Sequence, residues 1–230
     1  MDDQERPTKK FYGLFQYVFD YYNKTLFDSA IQDCLIVITR RKSVMGHYSF
    51  KRWFSISDQE TDELAINPSQ FLKHPLIEIC QTVVHEMCHG WQYHYGTPSR
   101  AGYHNREWSD KMQEVGLMPS GTGNPGGRKV GQKMGDYAIP NGRFLEVTEE
   151  LMNSEIFAGL YLEVNPEIVR LLNNDQPLFD QIKDMTLVQV GGKPKGAKKA
   201  KYSCSCCNVW GKPGLQLYCR DCGEAMREQS

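Results

Sequence analysis

The sequence predicts an α+β fold, and three features of its 230 residues support that prediction. Aromatic and aliphatic residues recur at three- and four-residue steps between positions 8 and 28, which indicates an amphipathic helix. The β-branched run at 34–39 indicates a strand. A broad apolar pattern begins at Pro75 and stops at Gly96, which indicates a second, largely buried helix. We therefore expect helices packed on a small sheet.

Weaker patterns predict the remaining elements. The aromatic stripe of the first helix indicates core packing, since helical periodicity ordinarily reports a buried face, and a base-stacking surface is the alternative. Asn67 and Pro68 end the third strand. We expect one or two strands at 46–57, further strands at 64–66 and 136–140, and helices at 107–115, 146–163 and 166–172.

The bulk composition fits an intracellular protein without a membrane partner. The formal net charge is −1, so nucleic-acid binding would have to come from local patches and not from a global field. No apolar run approaches the roughly 20 residues of a membrane span, and the charged start is unlike a signal peptide. Cys34, Cys80 and Cys88 lie in apolar contexts and are expected to be buried, reduced thiols. These features predict a cytoplasmic location.

The central motif is His85-Glu86-Met87-Cys88-His89, inside the second predicted helix. Residues four apart on a helix project from one face, so His85 and His89 can both reach one zinc ion at about 2.0–2.1 Å. Glu86 lies about 100° round the helix, too far to be a ligand but well placed to touch a water beside the metal. This arrangement is typical of zinc metalloproteases, in which the glutamate transfers protons. The alternative is two ordinary helix histidines beside a surface glutamate.

A catalytic zinc ion usually has three protein ligands, so a third must come from elsewhere. The other histidines are His47, His74, His94 and His104. His94 lies nearly opposite the ligand face of the helix, which argues against it. The metzincin spacing is excluded, because its glycine and histidine positions hold Gln92 and Tyr95 here. His104 precedes the helix predicted at 107–115, so a turn can bring it back to the zinc, or it is a surface loop residue.

The spacing after His89 carries a family resemblance. Fourteen residues separate His89 from His104, and Glu107 and Trp108 follow. This pattern resembles the SprT-like zinc metalloprotease family, over most of the chain and most weakly between about residues 143 and 201. The resemblance includes the segments at 45–50, 63–68, 98–104 and 116–120, the glycine-rich run after them, and a C-terminal ribbon containing 210–214.

The resemblance implies a zincin-like metallopeptidase core with His104 as the third zinc ligand and Glu86 as the catalytic glutamate. It implies an endopeptidase with a protein substrate. Since members include a protease of DNA–protein crosslink repair, that substrate is expected to be DNA-associated or DNA-crosslinked. Tyr103, Tyr48 and His47 are candidates for stabilising the oxyanion. A non-catalytic DNA- or protein-binding factor that keeps the metallo-fold is the alternative, but it would need a damaged site, and all four site residues are present.

The C-terminal cysteines predict a second metal site. Two Cys-x-x-Cys pairs enclose eleven residues, a spacing that suits a tetrahedral Cys₄ zinc ribbon. A module this short cannot bury a stabilising core, so metal binding would supply its folding energy. Disulfides are the alternative, and Cys206 is expected to be a bystander. The expected ligands of this structural zinc ion are Cys204, Cys207, Cys219 and Cys222.

Three segments follow from these patterns: a SprT-like metalloprotease domain at 8–190, a lysine-rich linker at 191–201 and a zinc ribbon at 202–226. The linker is either a solvated tether or one that binds DNA phosphates without sequence preference. The glycine-rich run at 120–131 does not match a Walker pattern and is expected to border the cleft. DNA is therefore an expected partner of ribbon and linker. Candidate nucleic-acid contacts are Arg128, Lys129, Lys195, Lys198, Lys199 and Lys201.

Overall fold

The chain divides into two units, residues 1–187 and 188–230. The computed structural model describes residues 6–41, 44–163, 200–211 and 214–229. The helix predicted at 166–172 and linker residues 191–199 lie outside the described residues. The same is true of three candidate nucleic-acid contacts, Lys195, Lys198 and Lys199.

Helix α1 spans Pro7–Leu26, as the periodicity predicts. Pro7 begins the helix, where its missing N–H is not needed for an intrahelical bond. The apolar stripe of α1 is buried in the main core, which confirms that it packs and does not form a base-stacking surface. Its buried members are Leu14, Phe15, Val18, Phe19, Tyr22 and Leu26.

The first sheet has the strand order β1-β3-β2. Strand β1 (Cys34–Ile38) runs parallel to the central strand β3 (Glu60–Ile66), whereas β2 (Gly46–Phe54) runs antiparallel to it. The region predicted as one or two strands is a single strand, β2, with a register shift between Ser49 and Trp53. The third strand begins at Glu60 and not at Leu64, because each residue of its polar first half pairs with β1, with β2 or with both.

Helix α2 (Leu76–Tyr95) follows a 3₁₀ turn at Pro68–Lys73 and crosses the sheet face that carries Tyr48. Pro75 precedes its first turn and Gly96 ends it, close to the predicted limits. Ten of its residues are buried, so packing fixes the direction of its side chains. No helix in the described part of the chain is long and apolar enough to cross a membrane.

The remaining described elements of the first unit follow α2. Helix α3 (Arg106–Glu114) leads into the hairpin of β4 (Leu117–Ser120) and β5 (Gly135–Ala138), whose strands enclose the glycine-rich run. Helix α4 spans Arg143–Met152, and a 3₁₀ turn follows at Glu155–Gly159.

The single helix predicted at 146–163 is therefore wrong in extent. The Ser154 hydroxyl donates to the Leu151 carbonyl at 2.6 Å, and this local bond ends α4.

The second unit is an antiparallel sheet of order β7-β6-β9-β8. Ala200 and Lys201, which the sequence assigns to the linker, lie in its first strand. Tyr202 is buried on one face of this sheet. The strands are β6 (Ala200–Ser203), β7 (Asn208–Gly211), β8 (Leu217–Tyr218) and β9 (Ala225–Gln229).

Candidate metal centre and active site

Three imidazoles meet on the inner face of α2. His85 and His89 lie one turn apart on that helix, and His104 reaches them from the turn before α3. The ring centroids are 5.2 Å apart for His85 and His89, and 4.8 Å apart for His89 and His104. One nitrogen of each ring lies within 4.8 Å of the other two. The group can hold one metal ion. Its three members are the histidines predicted from the sequence to be zinc ligands.

A hydrogen-bonded clamp fixes the turn that carries His104. The buried Gln92 side-chain amide donates to Asn105 Oδ1 and to Glu107 Oε2, both at 2.7 Å. Glu107 Oε2 also accepts the backbone N–H of Thr97 at 2.7 Å, directly after α2. These bonds tie the end of α2 to the start of α3. One of the bonded residues, Asn105, directly follows His104 and so fixes its position.

The indole of Trp108 forms the floor beneath the three imidazoles. Its centroid lies 4.3 Å from that of His104, 4.9 Å from that of His85 and 5.3 Å from that of His89. The side chain is fully buried. It limits the rotamers of all three rings at once and excludes water from beneath them.

Two of the imidazoles use Nδ1 to reach an oxygen acceptor. His85 Nδ1 lies 2.9 Å from Asp136 Oδ2, and His104 Nδ1 lies 3.2 Å from the Gly131 carbonyl. Gln81 donates to the second oxygen of Asp136 at 3.1 Å. Bonds of this kind fix the tautomer and leave Nε2 free for a metal. Sequence reasoning missed Asp136, which had no recognisable spacing to the motif and whose only signal was a predicted strand.

Replacing Asp136 by asparagine should weaken zinc binding at the histidine site about 10- to 100-fold. The amide removes the negative charge beside His85 and can accept from only one of its two present neighbours. Competition against a chromophoric chelator measures the affinity. Asp110→Asn, on the exposed face of α3, is the matched control and should leave it unchanged. Equal affinities in both variants would contradict the role of Asp136.

The three imidazoles differ in proton affinity. Burial and the charges of His85 and His104 hold the pKa of His89 well below its usual range. Burial and the charge of His85 lower the pKa of His104 to about 4. Burial alone would lower the pKa of His85, but the Asp136 hydrogen bond and the charges of Glu86 and Asp136 raise it above its ordinary value. His89 and His104 are thus neutral near pH 7, the form that binds metal.

The metal-free protein should lose stability as the pH falls from about 6.5 towards 4 because of His104. In that window the unfolded chain protonates this imidazole and the folded chain does not, since the folded pKa is about 4. We expect the Tm of the metal-free protein to fall more between about pH 7.5 and pH 5 than that of a metal-free His104→Gln variant. Scanning calorimetry measures both, and an equal fall would contradict the lowered pKa.

Residues 15–126 match the model of the SprT-like family, and this segment contains all three histidines and Glu86. Over these residues the chain is similar to the SprT-like family. Asp136 and the C-terminal cysteines lie beyond the matched segment.

One curated relative of this chain is described as an uncharacterized protein in the mucB 3′ region of Salmonella typhimurium. It is 38% identical over 47 residues, or 20% of this chain. The chain spans 64% of the length of that relative. No solved structure is significantly similar to the chain.

Glu86 of the SprT-like motif lies at the wall of a cleft of about 630 Å³. Its side chain is only 8% exposed and packs against Gly46 of β2, where a Cβ atom would lie 3.4 Å from Glu86 Cγ. Burial raises the pKa of Glu86 above its ordinary value. Other residues at the cleft include Met45, Gly46, Glu78, Gln81, Thr82, Asp136 and Tyr137.

The remaining histidines are each bonded to a carboxylate away from the triad. His47 Nε2 lies 3.1 Å from Glu63, and His74 Nδ1 lies 2.6 Å from Glu78. His94 Nε2 lies 2.7 Å from Asp62, on the opposite side of α2, as the helical spacing predicts.

The three oxyanion candidates each contact another side chain, and their role in catalysis stays a prediction. The Tyr48 hydroxyl donates to Asp62, and His47 is engaged with Glu63. The ring of Tyr103 lies under the guanidinium of Arg100, 5.3 Å from its centroid.

The glycine-rich loop between β4 and β5 supports the triad through its backbone. Gly131 exchanges two backbone hydrogen bonds with His104, at 2.8 and 3.0 Å. The Arg128 side chain packs against Gly121 and Gly131, where a Cβ atom would come within 2.9 Å of it. Lys129 Nζ donates to Gln113 at 2.7 Å. Arg128 and Lys129 thus brace the loop, and their predicted contact with nucleic acid stays a prediction.

The cysteine group of the second unit differs from the predicted ligand set. The thiols of Cys204, Cys206, Cys207 and Cys219 all lie within 4.8 Å of one another. Cys206 is therefore part of the group, with its sulfur 3.4 Å from that of Cys219. The Cys222 sulfur lies 3.9 Å from Glu224 Oε2 and outside the group. The sulfurs of the adjacent Cys206 and Cys207 lie 3.4 and 3.6 Å from that of Cys219, and cysteine spacing alone does not predict that both approach it.

Proposed function

We propose that this chain is a zinc-dependent endopeptidase of the SprT-like type that acts in the cytoplasm on DNA-associated or DNA-crosslinked proteins. One observation carries the enzymatic part of the proposal. Three imidazoles converge within 4.8 Å of one another, and the buried carboxylate next to them opens onto a cleft. A purely structural metal site would be closed on all sides and would not need a carboxylate at the cleft wall.

The donor set fits a zinc ion. Three neutral imidazoles are a common ligand set of catalytic zinc, and two of them already hold Nδ1 in bonds that leave Nε2 available. His85, His89 and His104 would hold the ion. A bound zinc ion polarises the scissile carbonyl and lowers the pKa of water.

Glu86 performs the proton transfers in this proposal. Its carboxylate accepts a proton from the attacking water and returns it to the amine nitrogen as the C–N bond breaks. A raised pKa brings the carboxylate closer to neutral pH, which favours transfer in both directions. The contact with Gly46 of β2 holds the Glu86 side chain in place between the two steps.

The second unit would bind a structural zinc ion through four thiolates drawn from its five cysteines. Backbone hydrogen bonds at Cys206 and Cys207 lower the pKa of Cys204 to about 6, which favours the thiolate that zinc requires. Cys206 and Cys222 compete for one of the four positions, and replacing each by serine in turn would identify the ligand.

One face of the ribbon sheet supports contact with DNA. Trp210 pairs with Lys201 across β6 and β7, and Arg227 and Tyr218 share that face. The indole of Trp210 is 65% exposed and the ring of Tyr218 is 75% exposed. Exposed aromatic rings beside cations are the means by which proteins hold single-stranded nucleic acid, since every base can stack. The opposite face is used for packing, through the buried Tyr202.

Proteolysis of a DNA-binding protein with and without single-stranded DNA tests the substrate part of the proposal. We expect cleavage to depend on DNA in the intact chain. The Trp210→Ala and Tyr218→Ala double variant should lose the DNA dependence and keep its zinc. Cleavage that is indifferent to DNA would keep the peptidase and remove the DNA-associated substrate. DNA binding without any cleavage would favour a non-catalytic binding factor.

A further inference from the structure

Tyr48 connects the edge strand β2 to α2 and to the central strand β3. Two residues before it in β2, Gly46 packs against Glu86, where a Cβ atom would lie 3.4 Å from Glu86 Cγ. The Tyr48 ring packs on Gly90, where a Cβ atom would lie 2.8 Å from the ring and 2.9 Å from the hydroxyl oxygen. Its hydroxyl donates to Asp62 at 3.0 Å. Gly90 directly follows His89, so the ring is seated against the helix turn that carries both the glutamate and a metal-ligand candidate.

Asp62 is the acceptor at the centre of this contact. Its Oδ2 atom accepts the Tyr48 hydroxyl and also lies 2.7 Å from His94 Nε2. Its Oδ1 atom accepts the backbone N–H of Lys51 at 2.7 Å. The side chain is buried in the central strand β3, and these three bonds offset the cost of removing a carboxylate from water.

The bond from Lys51 also stabilises a backbone irregularity in β2. Lys51 has a φ of 45°, a left-handed conformation that costs a lysine energy, and it lies within the register shift between Ser49 and Trp53. Phe50, beside it, stacks on Tyr93 of α2 with centroids 3.9 Å apart. Asp62 therefore accepts from Tyr48 before this shift and from Lys51 within it.

We propose that Asp62 is a positioning residue for Glu86 and acts through Tyr48. It fixes the tyrosine hydroxyl, the ring is thereby held on Gly90, and β2 is thereby held with Gly46 against the Glu86 side chain. The inference rests on the proposed peptidase function, since it assigns Asp62 to the proton-transfer step. An apolar side chain at position 62 would pack in the same place but would leave the tyrosine hydroxyl without its acceptor.

Tyr48→Phe and Asp62→Asn separate this role from a general loss of fold. Phenylalanine keeps the ring on Gly90 and removes only the hydroxyl. Asparagine keeps the shape of residue 62, but one oxygen and one NH₂ group cannot accept from both Lys51 and the Tyr48–His94 pair. Tyr17→Phe removes an exposed hydroxyl on α1 and is the matched control.

We expect each variant to lower kcat about 10-fold or more, with KM within about twofold and zinc content unchanged, because misplacing a catalytic group affects the chemical step. The double variant should be no slower than Asp62→Asn alone, since both changes break one connection. Unchanged kcat in Tyr48→Phe, multiplicative losses in the double variant, or loss of zinc alongside activity would each overturn the inference.

Binding of acetohydroxamate to the zinc-loaded protein distinguishes failure of the inference from failure of the proposed function. This probe chelates zinc and donates a hydrogen bond to a carboxylate beside it, so its Kd reads the position of Glu86 without turnover. Calorimetry should give the tightest binding for the intact chain, weaker binding for Tyr48→Phe and Asp62→Asn, and the weakest for Glu86→Gln. If the affinities follow this order but the intact chain cleaves no protein, only the proposed peptidase function is contradicted. Equal affinity of the intact chain and Tyr48→Phe would overturn the inference.

Discussion

Replacing His104 by alanine will lower the zinc content from about two ions per chain to about one and abolish peptide hydrolysis. His85 and His89 alone leave the ion with two protein ligands, too few to hold it against a chelator at neutral pH. The ribbon cysteines are chemically independent and should keep their ion. Metal analysis after gel filtration measures the count directly.

His74→Ala is the matched control for the zinc count. It removes a histidine of the same unit that pairs with Glu78 and does not reach the triad. The control should keep about two zinc ions. A His104→Ala protein with an unchanged count would dismiss His104 as a ligand.

Replacing Trp108 by alanine will destabilise the protein by about 3–5 kcal/mol, the usual cost of truncating a buried tryptophan. The indole is fully buried and contacts all three imidazoles, so the same change removes the floor of the metal site. We therefore expect weaker zinc binding in whatever fraction remains folded. Denaturant unfolding and a chelator titration measure the two effects.

Trp108→Phe and Trp53→Ala bracket this result. Phenylalanine fills most of the space and should recover part of both losses. Trp53 is 43% exposed on β2, so its truncation should cost far less stability than that of Trp108. Comparable losses for Trp108→Ala and Trp53→Ala would show that the indole of Trp108 is not the floor of the site.

The sequence predicts the part of the site that is local. His85, Glu86 and His89 lie within one turn and a half of α2, so helical geometry alone sets their relative directions. The limits of α1 and α2 follow from apolar periodicity and from proline and glycine at the ends. His104 lies fifteen residues after His89, and this spacing alone does not decide whether it is a ligand. The resemblance to the SprT-like family predicts that it is.

The parts that the sequence did not predict depend on tertiary contacts. Asp136 is 51 residues from His85 and becomes its partner only because the β4–β5 hairpin folds back. The first half of β3 carries acidic residues that would be expected in a loop. It is a strand because Asp62 and Glu63 are paired with histidines from neighbouring elements, and these bonds override local propensity.

The ribbon illustrates a third limit. Spacing predicted Cys204, Cys207, Cys219 and Cys222, since two Cys-x-x-Cys pairs are the common arrangement. The structure groups Cys206 with Cys204, Cys207 and Cys219. A run with two adjacent cysteines offers two registers, and the spacing alone does not decide between them.

Cleavage of a DNA-binding protein by the intact chain and by Glu86→Gln, with single-stranded DNA present, tests the central claim most directly. Glu78→Gln is the control, since it makes the same change two turns away at the same cleft. We predict that Glu86→Gln keeps its zinc and loses activity about 10²- to 10⁴-fold, while Glu78→Gln retains it. Equal cleavage by the intact chain and Glu86→Gln would contradict the account.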